Sequence, residues 1–575
     1  MRTRFVLAAI AAIAPSFLAA AGAAATGTRA AGAAAEPRPA ADLIVHNAHI
    51  FTVNAAQPEA SAVAVLNGRI VAVGSEAAAL RWRGPATRVV DAHGQRLLPG
   101  FNDAHVHLMD GGVLLASVQL KDAASPEEFA RRIGAFAATR PSGEWLLQGN
   151  WDETKFNPVT LPTRQLIDAV SGDHPVALWR YDGHVVIGNT LALKLAGITA
   201  ATQDPPGGVI VRDANGEPTG VLKDAATALL ERAIPEPNPA QRRAIIERAM
   251  REAAARGVTS VQAMSIDYAT IASLADLQRE GKLTMRVYAA PAISGVEDLA
   301  KLGIGRSFGS PMLRIGALKS FADGSLGART AYFFEAFDDQ PGNRGLLSAD
   351  MQPLSKMRDW MLRADAANLQ LCTHAIGDAG ISAILDIYQD IEAAHGQRDR
   401  RWRIEHAQHL AAKDFDRFAK LGVIASVQPY HAIDDGRWAE GRIGHDRSSR
   451  TYAFRTLLDH GVRLALGTDW PVAPLDPMQT LYAATTRATL DGKRPEGWFP
   501  EQKLTAAEAI TWYTMGSAYA EFQDHEKGSI ATGKLADFVL LSADPLKIPA
   551  AAIRDVHVLN TWVGGVEVYD AAHPQ

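Results

Sequence analysis

Between Asp42 and Pro99 the chain alternates short runs rich in Val and Ile with turn residues: DLIVHNAHIFTV, SAVAVLNGRIVAVGS and TRVVDAHGQRLLPG. β-Branched runs bounded by turn formers predict strands. The Asn67-Gly68 pair predicts a tight hairpin, because its turn needs positive φ at both central positions. A second set, GSIATGKLADFVLLSAD and VHVLNTWVGGVEVYD, closes the chain. Neither set has helical periodicity between its strands, so each end predicts part of a small β unit.

Between these ends the grammar changes to apolar run, polar end, amphipathic helix, repeated. Eight runs fit it: GFNDAHVH at 100–107, GVTSVQAM at 257–264, MRVYAA at 285–290, IGALKSF at 315–321, LQLCTH at 369–374, RIEHA at 403–407, GVIASVQ at 422–428 and GVRLALGTD at 461–469. Helical stretches such as PLSKMRDWMLRADAAN and ISAILDIYQDIEAAHG separate them. Eight strands alternating with helices predict an α/β chain built as a (βα)8 barrel of the TIM type. The first and second runs are about 150 residues apart, far more than one crossover helix needs. An insertion at about 115–240, with strands such as HPVALWRYDGHVV and GGVIVRDANGEPTGVLKD, accounts for the excess.

Composition narrows the class. The 575 residues are 47% hydrophobic and 21% charged with a net charge of −5, which is enough for a large core and gives no basic patch for nucleic acid. Arg2 and Arg4, an apolar run from Phe5 to Leu18 and a string of small residues read as a signal peptide over about 1–25. A low-complexity, disordered leader follows over 26–41. The expectation is a secreted or periplasmic protein without stable membrane association after cleavage. An uncleaved anchor is the alternative, disfavoured by Pro15 and by the shortness of the run. The single cysteine, Cys372, permits no intramolecular disulfide and reads as a buried strand residue.

The polar residues at the strand ends carry the chemistry. His105 and His107 close the first strand, Lys319 lies near the end of the fourth, His374 ends the fifth, His406 the sixth and Asp469 the eighth. In a barrel all carboxyl ends open on one face, so these six groups converge. Residues i and i+2 of a strand point to one side, so both imidazoles of HVH can reach one cation. An isolated HxH is as well explained by scaffold hydrogen bonding; it is the joint placement of four histidines, a lysine and an aspartate that predicts a metal site. No phosphate-binding glycine loop and no G-x-S-x-G elbow occurs.

PGFNDAHVH, KSFADGSLGARTA, THAIGD, IEHAQ and GTDWPVAPLDP together resemble the metal-dependent amidohydrolase superfamily. Within it, the resemblance is to the group (amidohydrolase family 3) of the YtcJ-like proteins and N-substituted formamide deformylases, over essentially the whole mature chain. It implies a barrel at 99–527 flanked by a β-sandwich made by both termini, 42–98 and 528–575. It also implies that His105, His107 and Asp469 bind one divalent metal and His374 and His406 a second. Lys319 would bridge the two as a carbamate; unmodified, it would leave a single metal.

A histidine and carboxylate set without thiolate suits zinc, with manganese, iron or cobalt open. Metal-bound hydroxide attacking a carbonyl, with Asp469 as base and then acid, predicts hydrolysis of an amide-type C–N bond of a small molecule. Cyclic imide, carbamate or lactone hydrolysis remains open, as does a periplasmic barrel that binds metal and small molecules without catalysis. Oligomeric state is left open too. Asp103 is expected to orient an imidazole, His184 to touch substrate from a capping insertion or to serve the scaffold, and Asp378 and His409 to line the mouth, as substrate contacts or as support behind the ligands. Trp470, Tyr430 and His431 are expected to form an aromatic wall there.

Overall fold

The computed structural model describes residues 39–181, 183–205 and 208–573. The expected signal peptide lies outside them, as does the leader except for residues 39–41, where Ala41 is buried and its N–H donates to Trp82 O at 2.7 Å.

The eight barrel strands lie where the apolar runs place them: β1 Phe101–Val106, β2 Val258–Met264, β3 Arg286–Ala290, β4 Ala317–Phe321, β5 Gln370–Ala375, β6 Arg403–His406, β7 Ile424–Val427 and β8 Leu464–Leu466. All pairings among them are parallel, in two arcs, β3-β2-β1 and β4-β5-β6-β7-β8. Parallel bridges Val106–Trp470 and Ala292–Lys319 link the arcs into one barrel. Every residue of β1, β2, β3, β5, β6, β7 and β8 is buried, as expected of strands covered by side chains inside and helices outside. The fourth stave differs from the single run expected at 315–321: Leu313–Ile315 pairs with β3, and β4 with β5. Gly316, at φ +148°, makes the break; a Cβ there would lie 2.6 Å from Arg306 Cα.

The two chain ends share a sandwich. One sheet orders Arg69–Gly74, Ala62–Leu66, Leu43–His46 and Arg88–Asp91. The other orders Val566–Asp570, Val558–Val563, Phe538–Leu541, Arg96–Pro99, His49–Phe51 and Glu59–Ala60. In the second, Phe538–Leu541 pairs antiparallel with Arg96–Pro99, Phe538 opposite Pro99. Val45, Ile50, Val63, Leu97, Phe538 and Trp562 pack between the sheets. Asn67 and Gly68 have φ of +50° and +74°, the hairpin expected from their sequence.

The insertion after β1 has its own sheet, ordered Gly208–Arg212, Pro218–Asp224, Val185–Gly188, Val176–Arg180 and Leu146–Trp151. Helices Pro126–Ala137 and Arg164–Ser171 cover it through Phe129, Ile133 and Ile167. Trp151 is part of that core and donates its indole N–H to Leu178 O at 2.7 Å.

Candidate metal centre

β1 delivers His105 and His107 to one point. His105 Nε2 and His107 Nε2 lie 3.3 and 3.2 Å from the same oxygen, Asp469 Oδ1. Asp469 follows β8 and is held there by its own N–H, which donates to His105 O at 2.8 Å. Lys319 Nζ is 3.3 Å from His105 Nε2. From the other side come His406, whose ring centroid is 4.9 Å from that of His105, and His374, 4.6 Å from His406. All six residues named from the strand ends therefore gather at one place.

Ring orientations are set from outside the cluster. His105 Nδ1 contacts Glu405 Oε2 at 2.7 Å, which turns Nε2 inward. His406 Nδ1 faces Gln428 Oε1 at 2.9 Å, and His374 Nε2 meets Gly324 O at 3.1 Å, leaving His374 Nδ1 as its remaining ligand atom. Glu405 is itself fixed by Arg403, Nε to Oε1 at 2.7 Å and Nη2 to Oε2 at 3.0 Å, with both side chains fully buried. Asp103 does not have the role expected of it. Its Oδ1 accepts from the backbone N–H of His105 at 3.1 Å and Thr468 at 3.0 Å, and its Oδ2 from the hydroxyls of Thr468 and Tyr513, each at 2.8 Å. It clamps the ends of β1 and β8, while Glu405 orients the imidazole. Glu405 was legible in RIEH, because Arg403 and Glu405, two apart in a strand, share a face.

His431, expected as part of an aromatic wall, also stands beside the candidate ligands. It sits in helix Pro429–Asp435 and stacks on His406 at 6.3 Å and 14°, its Nε2 3.9 Å from Asp469 Oδ2. His406, His431 and Asp469 form a second group of potential ligands beside His105, His107 and Asp469.

Electrostatics favour a cation. Burial pushes His105 down to about 4, aided by Lys319, and holds His374 and His406 well below the usual range, so all three imidazoles are neutral with lone pairs to offer. Burial also lowers Lys319. Burial alone would raise Asp469, but His105, His107 and His406 outweigh it and hold the carboxyl well below its ordinary value. Asp469 Oδ1 and His431 Nε2 are buried without a hydrogen-bond partner. Buried orphans of this kind need an explanation, and a divalent cation between neutral imidazoles and a carboxylate supplies one.

The cluster forms the floor of a cavity of about 720 Å3. Its wall includes Phe321 and Trp438 from the barrel and Trp179, Tyr181 and His184 from the insertion. Of the three aromatic residues expected there only His431 lines the cavity; Trp470 and Tyr430 do not. Asp378 and His409 are also displaced from it. Asp378 accepts from Phe334 N–H at 2.9 Å, and His409 is buried against Thr451 Oγ1 at 2.7 Å and the ring of Phe333.

Residues 88–569 match the amidohydrolase family. The Arabidopsis thaliana protein LONG AFTER FAR-RED 3 is 38% identical over 92% of each chain. The N-substituted formamide deformylase of Arthrobacter pascens is 30% identical over 92% of this chain and 98% of its own. An uncharacterized metal-dependent hydrolase of Pyrococcus horikoshii superposes with a TM-score of 0.75 at 28% identity, covering 88% of this chain and 99% of that one. With the barrel, the cluster at its carboxyl face and a match across most of its length, this chain belongs to the amidohydrolase family.

Proposed function

We propose that the chain hydrolyses small, non-peptide amides, N-substituted formamides first among them, using divalent cations held by His105, His107, His374, His406, Asp469 and Lys319. The observation that carries this is Asp469 Oδ1, buried without a hydrogen bond yet 3.3 and 3.2 Å from two imidazole nitrogens at the floor of the cavity. When bound, the cation lowers the pKa of a coordinated water and polarises a carbonyl oxygen. Asp469 accepts the proton of the attacking water as the new C–O bond forms. It then delivers that proton to the nitrogen as the C–N bond breaks, so the amine leaves neutral. The Asp469 carboxyl, held well below its ordinary value, is ionised at neutral pH.

Zinc is the metal proposed, on the donor types. Two ions are proposed if Lys319 is carbamylated; the lowered basicity of its buried amine supports that, because only the neutral amine adds carbon dioxide. Likeness to the Arthrobacter deformylase supports formamides. The aromatic wall of Trp179, Tyr181, Phe321 and Trp438 suits an apolar N-substituent. Export is proposed on the Arg2, Arg4 and Phe5–Leu18 pattern; among the described residues no helix is long and apolar enough to cross a membrane.

The test is elemental analysis of the purified protein with mass spectrometry of the peptide containing Lys319, followed by assay on a panel of formamides, cyclic imides, carbamates and lactones. Two metals per chain, a lysine heavier by one carbon dioxide and formamide turnover are expected. A metal-free protein overturns the catalytic reading, and turnover confined to the imides, carbamates or lactones overturns the substrate.

A further inference from the structure

A second cavity, of about 240 Å3, adjoins the first and shares Arg180, His184 and Gly327 with it. Its walls come from the insertion, from the loop after β4 at residues 327–329, and from Arg442 of helix Ala439–Ser449. Its charge differs from that of the main cavity. Asp110, Glu231, Glu236, Asp434 and Asp435 line the main cavity alone, whereas Lys223, Arg329 and Arg442 line only the side cavity.

The two acids that line the side cavity among the described residues are engaged. Glu153 accepts from Arg180 Nε at 2.7 Å, and Asp224 Oδ1 is 3.2 Å from His184 Nδ1. Arg329 pairs with Asp339 at 2.6 Å. Lys223 and Arg442 make no ion pair with any of the described residues. Arg442 donates to Leu326 O at 2.6 Å and lies over the Trp438 ring at 4.1 Å, both of which fix its guanidinium without neutralising it. Burial lowers its pKa and repulsion by Arg329 adds to the effect, outweighing the opposing pull of Asp435 and Asp339 in a half-buried place. An anion entering there relieves that repulsion and gains charge-assisted hydrogen bonds in a partly desolvated site. At about 30 Å3 per water, the volume holds a carboxylate with a short methylene arm. Arg180, His184 and Gly327 face both cavities, so a molecule that spans the two would pass along these three residues.

We propose that this side cavity binds a carboxylate carried by the substrate, with Lys223 and Arg442 as the contacting groups, so that the enzyme favours anionic amides over neutral ones of equal length. The proposal deepens the hydrolase reading and rests on it.

Two formamides matched in length, N-formyl-5-aminopentanoate and N-formylpentylamine, test it through the ratio of their kcat/KM values. A ratio of at least ten for the wild-type holoenzyme is expected, falling at least tenfold in Lys223→Met and returning in Lys223→Arg. Equal kcat/KM for both compounds, or a ratio that Lys223→Met leaves unchanged, overturns it. In parallel, glutarate is titrated calorimetrically into the same holoenzymes. Binding weakened at least tenfold by Lys223→Met and recovered by Lys223→Arg is expected, and absent or unaltered binding overturns the site. Should neither formamide turn over, the formamide reading fails while the glutarate titration still decides the side cavity.

Discussion

At the scale of single residues, the metal centre is a problem of holding several imidazoles neutral and turned the right way. Glu405 does this for His105, and its own burial is tolerable because Arg403 meets it with two contacts. Glu405→Gln keeps the shape but replaces the ionised acceptor, so His105 loses basicity and its fixed orientation. Losses of such outer contacts typically weaken metal binding about 10–100-fold. Chelator competition on the purified variant is expected to show a loss in that range, together with a lower Tm because Arg403 is left buried without its counter-charge; a lower Tm with unchanged affinity would assign Glu405 to folding alone. His409 makes a different prediction because it is buried away from the cavity. Burial pushes it down to about 3, below the ~6.5 of an unfolded histidine. Between those values the unfolded chain takes up a proton that the folded chain refuses. Stability contributed by this group is therefore whole above pH ~6.5 and falls by about 1.4 kcal/mol per unit as pH drops towards 3. In denaturant titrations at pH 7 and 5.5, His409→Gln is expected to lose about 1.4 kcal/mol less than the parent across that interval; identical losses would refute the account. The strand-end candidates for ligands were legible because each lies at or near the end of an apolar run. Glu405 was not singled out although RIEH sets it on one face with Arg403, and Gln428 was not because its contact with His406 depends on which strands neighbour which; His431 was read only as a wall residue, because its approach to Asp469 is set by a helix that follows another strand.

At the scale of elements, the centre depends on β1 and β8 approaching closely at their carboxyl ends. Gly467 permits this: a Cβ there would lie 2.7 Å from both Asp103 Oδ1 and His105 N. Neither atom can yield easily, since Asp103 is fully buried and carries four hydrogen bonds. Gly467→Ala should therefore push the strand ends apart, cost about 1–3 kcal/mol as overpacked sites do, and separate Asp469 from His105. The expected result is a lower Tm together with a lost or weakened metal, read by elemental analysis after dialysis; full metal content at wild-type Tm would show that the strands tolerate the extra carbon. All eight strands could be read from sequence because parallel strands buried on both faces are short, nearly unbroken apolar runs. The split of the fourth stave at Gly316 could not, because a change of partner at one glycine leaves the hydrophobic pattern intact. Asp378 was misplaced for a related reason: it does follow a ligand strand, but its carboxylate turns back to the Phe334 N–H.

At the scale of the whole molecule, the two chain termini meet in one sandwich, and that sandwich is tied to the barrel by a buried ion pair. Arg286 opens β3, and its guanidinium grips Asp537, Nε to Oδ2 at 2.7 Å and Nη2 to Oδ1 at 2.8 Å, with the side chains 4% and 6% exposed. Asp537 also accepts from Gly564 N–H at 2.8 Å and stands just before the strand that pairs with Arg96–Pro99. One carboxylate thus connects a barrel strand, the closing hairpin and, through the chain, the N-terminal strands. Neither partner has water to fall back on, so removing one charge leaves the other buried and unmatched, a cost of about 3–5 kcal/mol. Asp537→Ala is expected to lower stability by that amount in denaturant unfolding. Metal content and kcat/KM of the fraction that stays folded should not change, because the pair lies at the amino end of β3 and the ligands at the carboxyl ends. Replacing both partners, Arg286→Met with Asp537→Leu, should recover much of the loss, since an apolar pair strands no charge. If the double variant is no more stable than Asp537→Ala, the pair's hydrogen bond to Gly564 and its geometry, rather than its charge balance, join sandwich and barrel.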